Sequence, residues 1–207
     1  MLELYLVSDR QWLNSRKLED DIEKAIQGGV TMVQLREKDL SEADFIAQAK
    51  KVKAVCAKYQ IPFIINDNLT VALAVDSDGI HVGQDDLPVK TVRQKIGPDK
   101  ILGVSAHNLT EAKQAWLDGA DYLGIGAMFS TATKSDATDV TFQELLEIAD
   151  NVDLPLVAIG GINKANCLQL KGTKINGVAV VSAIMKATDI KTATQELKDI
   201  AKDIYHD

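Results

Sequence analysis

Cysteine is almost absent from this chain. Cys56 and Cys167 stand far apart in 207 residues, with no CxxC pair and no Cys/His ligand spacing near either. That excludes a disulfide framework and a zinc module, and leaves buried free thiols in a reducing compartment. Long apolar runs are missing too. Met1-Leu2-Glu3-Leu4-Tyr5-Leu6-Val7 carries no basic region ahead of an extended apolar stretch, so no signal peptide is expected. No segment approaches the roughly 20 residues of a membrane span. Positive charge is in deficit: 23 Lys and Arg against 30 Asp and Glu leave a net charge of −7. This argues against general affinity for nucleic acid or anionic membranes, so an anionic substrate would have to meet a local cluster of Lys and Arg. What these absences leave is a cytoplasmic globular protein with ordinary composition, 46% hydrophobic and 26% charged. Its length suits a single domain over residues 1–207 with a substantial core. Nothing in the sequence sets the oligomeric state.

What is present is alternation. Short apolar runs at Leu4–Val7, Met32–Arg36, Phe63–Ile65, Gly79–Val82, Ile101–Val104, Tyr122–Ile125, Leu156–Ile159 and Gly177–Val181 read as buried parallel strands. Between them, helical spacing predicts helices over 18–26, 41–59, 69–75, 89–96, 110–119, 141–149, 165–170 and 193–204. Eight strand–helix alternations in a chain of this size favour an α/β fold of the (β/α)8 TIM-barrel type over a doubly wound sheet. Residues 126–140 show no clear periodicity. A connection of ~15 residues is long for a βα loop, where two to six is usual, and such loops often carry function.

A barrel places its site at the C-terminal rim of the strands, so the chemistry is read from residues just after each run. Asp67 follows the third run and Asp86 the fourth. Neighbouring parallel strands lie about 4.8 Å apart, and carboxylates brought that close repel unless a proton or cation intervenes. A hard divalent ion shared with substrate phosphates would relieve them. The alternative is that they only cap helices or form turns. Arg36, Lys38, Ser105, Thr131, Thr133 and Lys134 offer donors suited to a diphosphate beside such a metal. Gly161 and Ser182 offer a separate cradle suited to a monophosphate. His81 and His107 read as hydrogen-bonding or ring-packing residues, and Ser105 lacks the partners of a Ser/His/Asp triad. A group-transfer site for two phosphorylated substrates is the expectation.

The motifs that carry these residues are Gln34-Leu35-Arg36-Glu37-Lys38, Ile65-Asn66-Asp67, Gly79-Ile80-His81-Val82-Gly83-Gln84-Asp85-Asp86, Gly103-Val104-Ser105-Ala106-His107, Thr131-Ala132-Thr133-Lys134, Ala158-Ile159-Gly160-Gly161-Ile162 and Val180-Val181-Ser182-Ala183-Ile184. In this order, over nearly the whole chain, they resemble thiamine-phosphate synthase. The resemblance implies a (β/α)8 barrel that uses Mg2+ to join 4-amino-5-hydroxymethyl-2-methylpyrimidine diphosphate to 4-methyl-5-(2-hydroxyethyl)thiazole phosphate. Thiamine phosphate and pyrophosphate would be the products. It further implies Asp67 and Asp86 as Mg2+ ligands, and Arg36, Lys38, Ser105 and Lys134 as catalytic residues on the diphosphate. Asn66 would also help hold the diphosphate in register; Gln34, Asn66 and the Gly83 region would recognise the pyrimidine, and His81 would be a further substrate-binding residue. Thr131, Thr133, Gly161, Val181 and Ser182 would receive the thiazole phosphate. The sequence departs from the family pattern in the sixth loop, where Ala127 and Ser130 replace usual prolines and Thr141 stands near a usual glycine. Two rivals share the barrel: a thiazole tautomerase, and a non-catalytic barrel that senses thiamine phosphates. Neither needs the metal and diphosphate residues, which this chain retains.

Overall fold

Strands this short and this apolar on both faces need cover inside and out, and a closed parallel barrel wrapped in helices supplies both. The computed structural model describes residues 2–130 and 139–205. Among these, β1 (Leu4–Val7), β2 (Met32–Leu35), β3 (Phe63–Asn66), β4 (Gly79–Val82), β5 (Ile101–Ala106), β6 (Tyr122–Ile125), β7 (Leu156–Ala158) and β8 (Gly177–Val180) pair in sequence order. Parallel pairing of β1 with β8 closes the barrel. Around it run α1 (Leu18–Gly28), α2 (Glu42–Lys58), α3 (Leu69–Ala74), α4 (Val89–Ile96), α5 (Leu109–Leu117), α6 (Phe142–Asn151), α7 (Ser182–Met185) and α8 (Ile190–Tyr205).

Several boundaries differ from the sequence reading, each for a local reason. Strand β5 runs on through Ala106 because Ser105 and Ala106 stay in register with Gly124 and Ile125 of β6. Helix α8 starts at Ile190 because Asp189 Oδ1 accepts from the Thr192 N–H at 3.0 Å, capping it early. The expected helix at 165–170 is a short 3-10 turn, Cys167–Leu170. Helix α7, four residues long, was not anticipated, being too short to show periodicity.

Successive strand residues face opposite ways. One set, including Leu4, Leu6, Val33, Leu35, Phe63 and Ile65, packs outward against the helices. The other set fills the barrel: Tyr5, Val7, Met32, Ile64, Tyr122, Val157 and Ala179. At the N-terminal end of the strands Arg93 acts as a clamp. Its guanidinium makes five hydrogen bonds, to the carbonyls of Gly97, Lys100 and Gly119 and to the Asp121 carboxylate. Among the described residues no helix is long and apolar enough to cross a membrane.

Candidate active site

The interior residues stop short of the C-terminal ends of the strands, and a cavity of about 330 Å3 opens above them. Tyr5, Tyr122, Val157 and Ala179 lie at its base. Of the residues singled out from the sequence, Gln34, Arg36, Lys38, Asn66, Asp67, His81, Gly83, Asp86, Ser105, Gly161, Val181 and Ser182 all line this one cavity. Thr131, Thr133 and Lys134 lie outside the described residues.

Asp67 sits one residue beyond β3 with φ at 59°, in the left-handed region, and its N–H donates to the His81 carbonyl at 2.8 Å. It does not cap the helix that follows. Asn68 does that, its Oδ1 accepting from the Val71 N–H at 2.9 Å, so the capping alternative for Asp67 falls away. Lys38 Nζ lies 3.3 Å from Asp67 Oδ2. Asp86 Oδ2 accepts from the Gly83 N–H at 2.7 Å, which turns that carboxylate back toward β4. Burial, and after it the adjacent Asp67 carboxylate, raise the Asp86 carboxyl above its ordinary range, against the pull of the Gly83 N–H and Lys38. Two hard oxygen ligands under mutual repulsion are what a magnesium ion accepts when substrate oxygens and waters complete its shell. Among the described residues no three His, Cys, Asp or Glu side chains converge into a fuller cage.

Arg36 is aimed by Ser8 and Asp9, the two residues just past β1. Its Nη1 pairs with Asp9 Oδ2 at 3.0 Å, and its backbone N–H donates to Ser8 Oγ at 3.1 Å. Asp9 is itself fixed, accepting from the Gln11 N–H at 3.0 Å. The signal available was the polar pair Ser8-Asp9 at a strand end next to the Arg36 strand.

Ser105 stands at the end of a buried polar chain. Its Oγ lies 2.9 Å from His81 Nε2, while His81 Nδ1 lies 2.9 Å from the Tyr122 hydroxyl. Tyr122 and Tyr5 hydroxyls are 2.9 Å apart, and Gln34 Nε2 donates to the Tyr5 hydroxyl at 2.7 Å. Burial pushes both tyrosine hydroxyls well above their usual pKa, so they remain protonated donors. His107 is engaged elsewhere, its Nδ1 being 2.8 Å from Glu111 Oε2. Neither histidine joins a metal cluster among the described residues.

The opposite wall comes from β6, β7 and β8. Gly161 has φ +64°, and a Cβ there would sit 2.5 Å from the Ser130 carbonyl oxygen. Residues 127–129 are zipped to the β7 end by Met128 N–H to Ile159 O at 2.9 Å and Phe129 N–H to Gly160 O at 3.1 Å. The first part of the sixth loop is thus held by backbone hydrogen bonds without the prolines at 127 and 130. Thr141, the other departure, caps α6 in a reciprocal box with Glu144. Beyond β8, α7 begins at Ser182 and is tied down from its far end, where Arg16 Nη2 donates to the Met185 carbonyl at 2.8 Å.

A family model described as thiamine monophosphate synthase matches residues 4–184. A thiamine-phosphate synthase of Clostridium botulinum is 55% identical over 196 residues, covering 95% of this chain and 92% of that protein. One from Methanobrevibacter smithii is 51% identical over 196 residues, covering 95% and 93%. Among solved structures, a thiamine phosphate pyrophosphorylase of Pyrococcus furiosus superposes with a TM-score of 0.90 at 37% identity, covering 98% of this chain and 96% of that one.

Proposed function

Because the chain belongs to the thiamine monophosphate synthase family, we propose that its barrel mouth carries out the family's transfer by the division of labour set out below. The enzyme is a transferase that forms thiamine phosphate from two small-molecule substrates, the pyrimidine diphosphate and the thiazole phosphate. The bond to the diphosphate breaks at a benzylic-type carbon of an electron-rich aminopyrimidine, and the thiazole nitrogen takes that carbon. That nitrogen has no proton to lose, so no strong general base is required at the bond-forming step. The protein's task is to hold two anions in register and to stabilise charge on the departing one.

Arg36, held in place by Asp9 and Ser8, and Lys38 bind the diphosphate, with the Ser105 hydroxyl as a further donor. Lys134, Thr131 and Thr133 belong to the same reading through the motif that carries them. Gln34, Asn66, His81 and the Gly83 turn border the pyrimidine. Gly161, Val181 and Ser182 take the thiazole phosphate, at the ends of β7 and β8 where barrels with a short extra helix commonly hold phosphate. Asp67 and Asp86 would hold Mg2+, which when bound would offset negative charge on the leaving diphosphate. The observation that carries the reading is the meeting of Arg36, Lys38, Ser105 and the Asp67–Asp86 pair around one cavity. The acidic net charge and the two buried free thiols fit the reading of a cytoplasmic enzyme acting on small molecules.

Incubation of both substrates with the purified enzyme, with Mg2+ and with a chelator, tests this directly. Thiamine phosphate and pyrophosphate are expected only when Mg2+ is present. Full activity in the chelator would remove the metal from the scheme. Tautomerisation of the thiazole without transfer would overturn the transferase reading.

A further inference from the structure

The barrel interior carries two buried tyrosine hydroxyls to which the transfer chemistry gives no part. Tyr5, Tyr122, Gln34 and His81 are 1%, 2%, 4% and 8% exposed, yet their polar atoms run in one unbroken line to Ser105 at the cavity wall. Strand register builds the central part of this line. His81, Gly103 and Tyr122 stand side by side across β4, β5 and β6. A Cβ on Gly103 would lie 2.2 Å from Tyr122 Cζ and 2.5 Å from His81 Nδ1. Only a residue without a side chain at 103 lets the histidine and the tyrosine hydroxyl meet across that strand.

The donors and acceptors then have one direction. An amide nitrogen can only donate, so the Tyr5 oxygen accepts from Gln34. Tyr5 is 1% exposed, so its hydroxyl donates to its other protein partner, the Tyr122 oxygen at 2.9 Å. Tyr122, accepting from Tyr5, donates its own hydroxyl hydrogen bond to His81 Nδ1. A neutral imidazole whose Nδ1 accepts carries its hydrogen on Nε2, and that hydrogen is directed at Ser105 Oγ. Ser105, accepting there, turns its own hydroxyl proton away from His81 and into the mouth. Gln84 does not compete, because it binds the Ser105 backbone carbonyl instead.

We propose that Tyr5, Tyr122 and His81 are positioning residues, forming a one-way hydrogen-bond relay that starts at Gln34, fixes His81 as the Nε2–H tautomer and presents the Ser105 hydroxyl as a donor to the anion in the mouth. The polarity is set at Gln34. With the amide turned over, every bond would reverse, Ser105 would donate into His81, and the anion would face only oxygen lone pairs. A ligand amino group that donates to Gln34 Oε1 would hold the amide in the productive sense. An aminopyrimidine has such a group, and this last step rests on the function proposed above. Recognition of the ring at one end of the relay is thereby linked to the donor offered to the diphosphate at the other.

The tautomer can be read in the ligand-free protein without any turnover. Nitrogen NMR of histidine-labelled enzyme, with the His81 signals assigned by their loss in His81→Asn, is expected to show a bare Nδ1 and a protonated Nε2. A protonated Nδ1 would overturn the relay. In Tyr122→Phe, which keeps the ring and loses the hydroxyl, the proton should redistribute toward Nδ1. A spectrum unchanged from wild type would equally count against the proposal. Kinetics give a second readout. Tyr122→Phe should lower kcat about 10-fold with Ser105 present and less than about 2-fold in a Ser105→Ala background, with KM for the thiazole phosphate unchanged in both. Tyr5→Phe should act in the same direction but more weakly. Equal losses in both backgrounds would mean that the tyrosines only support the barrel. If the wild-type enzyme makes no thiamine phosphate, the function proposed above fails, while the nitrogen spectrum still judges the relay.

Discussion

Replacing Asp67 by Asn separates the charge of this residue from its shape. Asp67 faces two charges of opposite sign: Lys38 Nζ at 3.3 Å and the carboxylate of Asp86. Unit charges about 4 Å apart interact by ~1 kcal/mol in water and ~4 kcal/mol at an effective dielectric of 20. The side chains of Lys38 and Asp67 are 53% and 28% exposed, which moves both interactions toward the lower figure. Attraction to Lys38 and repulsion from Asp86 therefore nearly cancel, and Asp67→Asn should change stability by less than about 1 kcal/mol. That corresponds to a melting shift of at most about 2–4 °C for a chain of this size. The response to Mg2+ should change far more. Mg2+ with inorganic pyrophosphate should raise the melting temperature of the wild type, since a ligand at 100 times its Kd stabilises by ~2.7 kcal/mol. The variant should lose most of that rise, and kcat should fall about 100-fold or more. Calorimetry and turnover on the one variant decide the matter. An Asp67→Asn enzyme that keeps both its turnover and its Mg2+-dependent melting shift would refute the metal assignment.

Three further outcomes follow from the packing. Asp9→Ala should lower kcat/KM for the pyrimidine diphosphate about 10-fold by releasing Arg36, and should have little further effect in an Arg36→Ala background; steady-state kinetics on the four enzymes check this. Gly161→Ala should cost about 1–3 kcal/mol by denaturant unfolding, because φ is +64° and the Ser130 carbonyl lies 2.5 Å from the new Cβ, and should raise KM for the thiazole phosphate before that for the diphosphate. Arg93→Lys, at the end of the barrel away from the mouth, leaves three donors for the sites of five bonds; it should lose about 2 kcal/mol of stability while kcat measured well below melting stays unchanged.

The features legible in the sequence were those written locally. Eight apolar runs with helices between them specify a barrel, and polar residues just past each run mark its rim. For this reason Asp67, Asp86, Arg36, Lys38 and Ser105 could be named without coordinates. Relations between strands distant in sequence were not legible. Tyr5 and Tyr122 are 117 positions apart, and nothing local shows that their hydroxyls meet. In strands of four residues apolar on both faces, the alternation that would separate barrel interior from helix contact is too brief to read. The Asp9–Arg36 pair was hidden likewise, since it joins two strand ends 27 positions apart. Asn68 and Asp67 are adjacent and equally able to cap, so only geometry could assign the cap to one and the cavity to the other. The start of α6 at Thr141 was legible, but the reciprocal bonds between Thr141 and Glu144 that fix it were not singled out.

Gly103, and Gly124 opposite Ser105 on β6, also bear on any attempt to re-engineer the enzyme. A methyl group at 103 would collide with the tyrosine and the histidine together, so a mutational library should leave that codon alone. At 124 the nearest atom to a new methyl is the His81 ring edge at 3.2 Å, a distance that a shift of a few tenths of an ångström relieves. Position 124 borders the cavity. Alanine there would narrow the chamber and at the same time press on the His81 ring that holds Ser105, so the shape of the mouth and the aim of its donor would both answer to that one methyl.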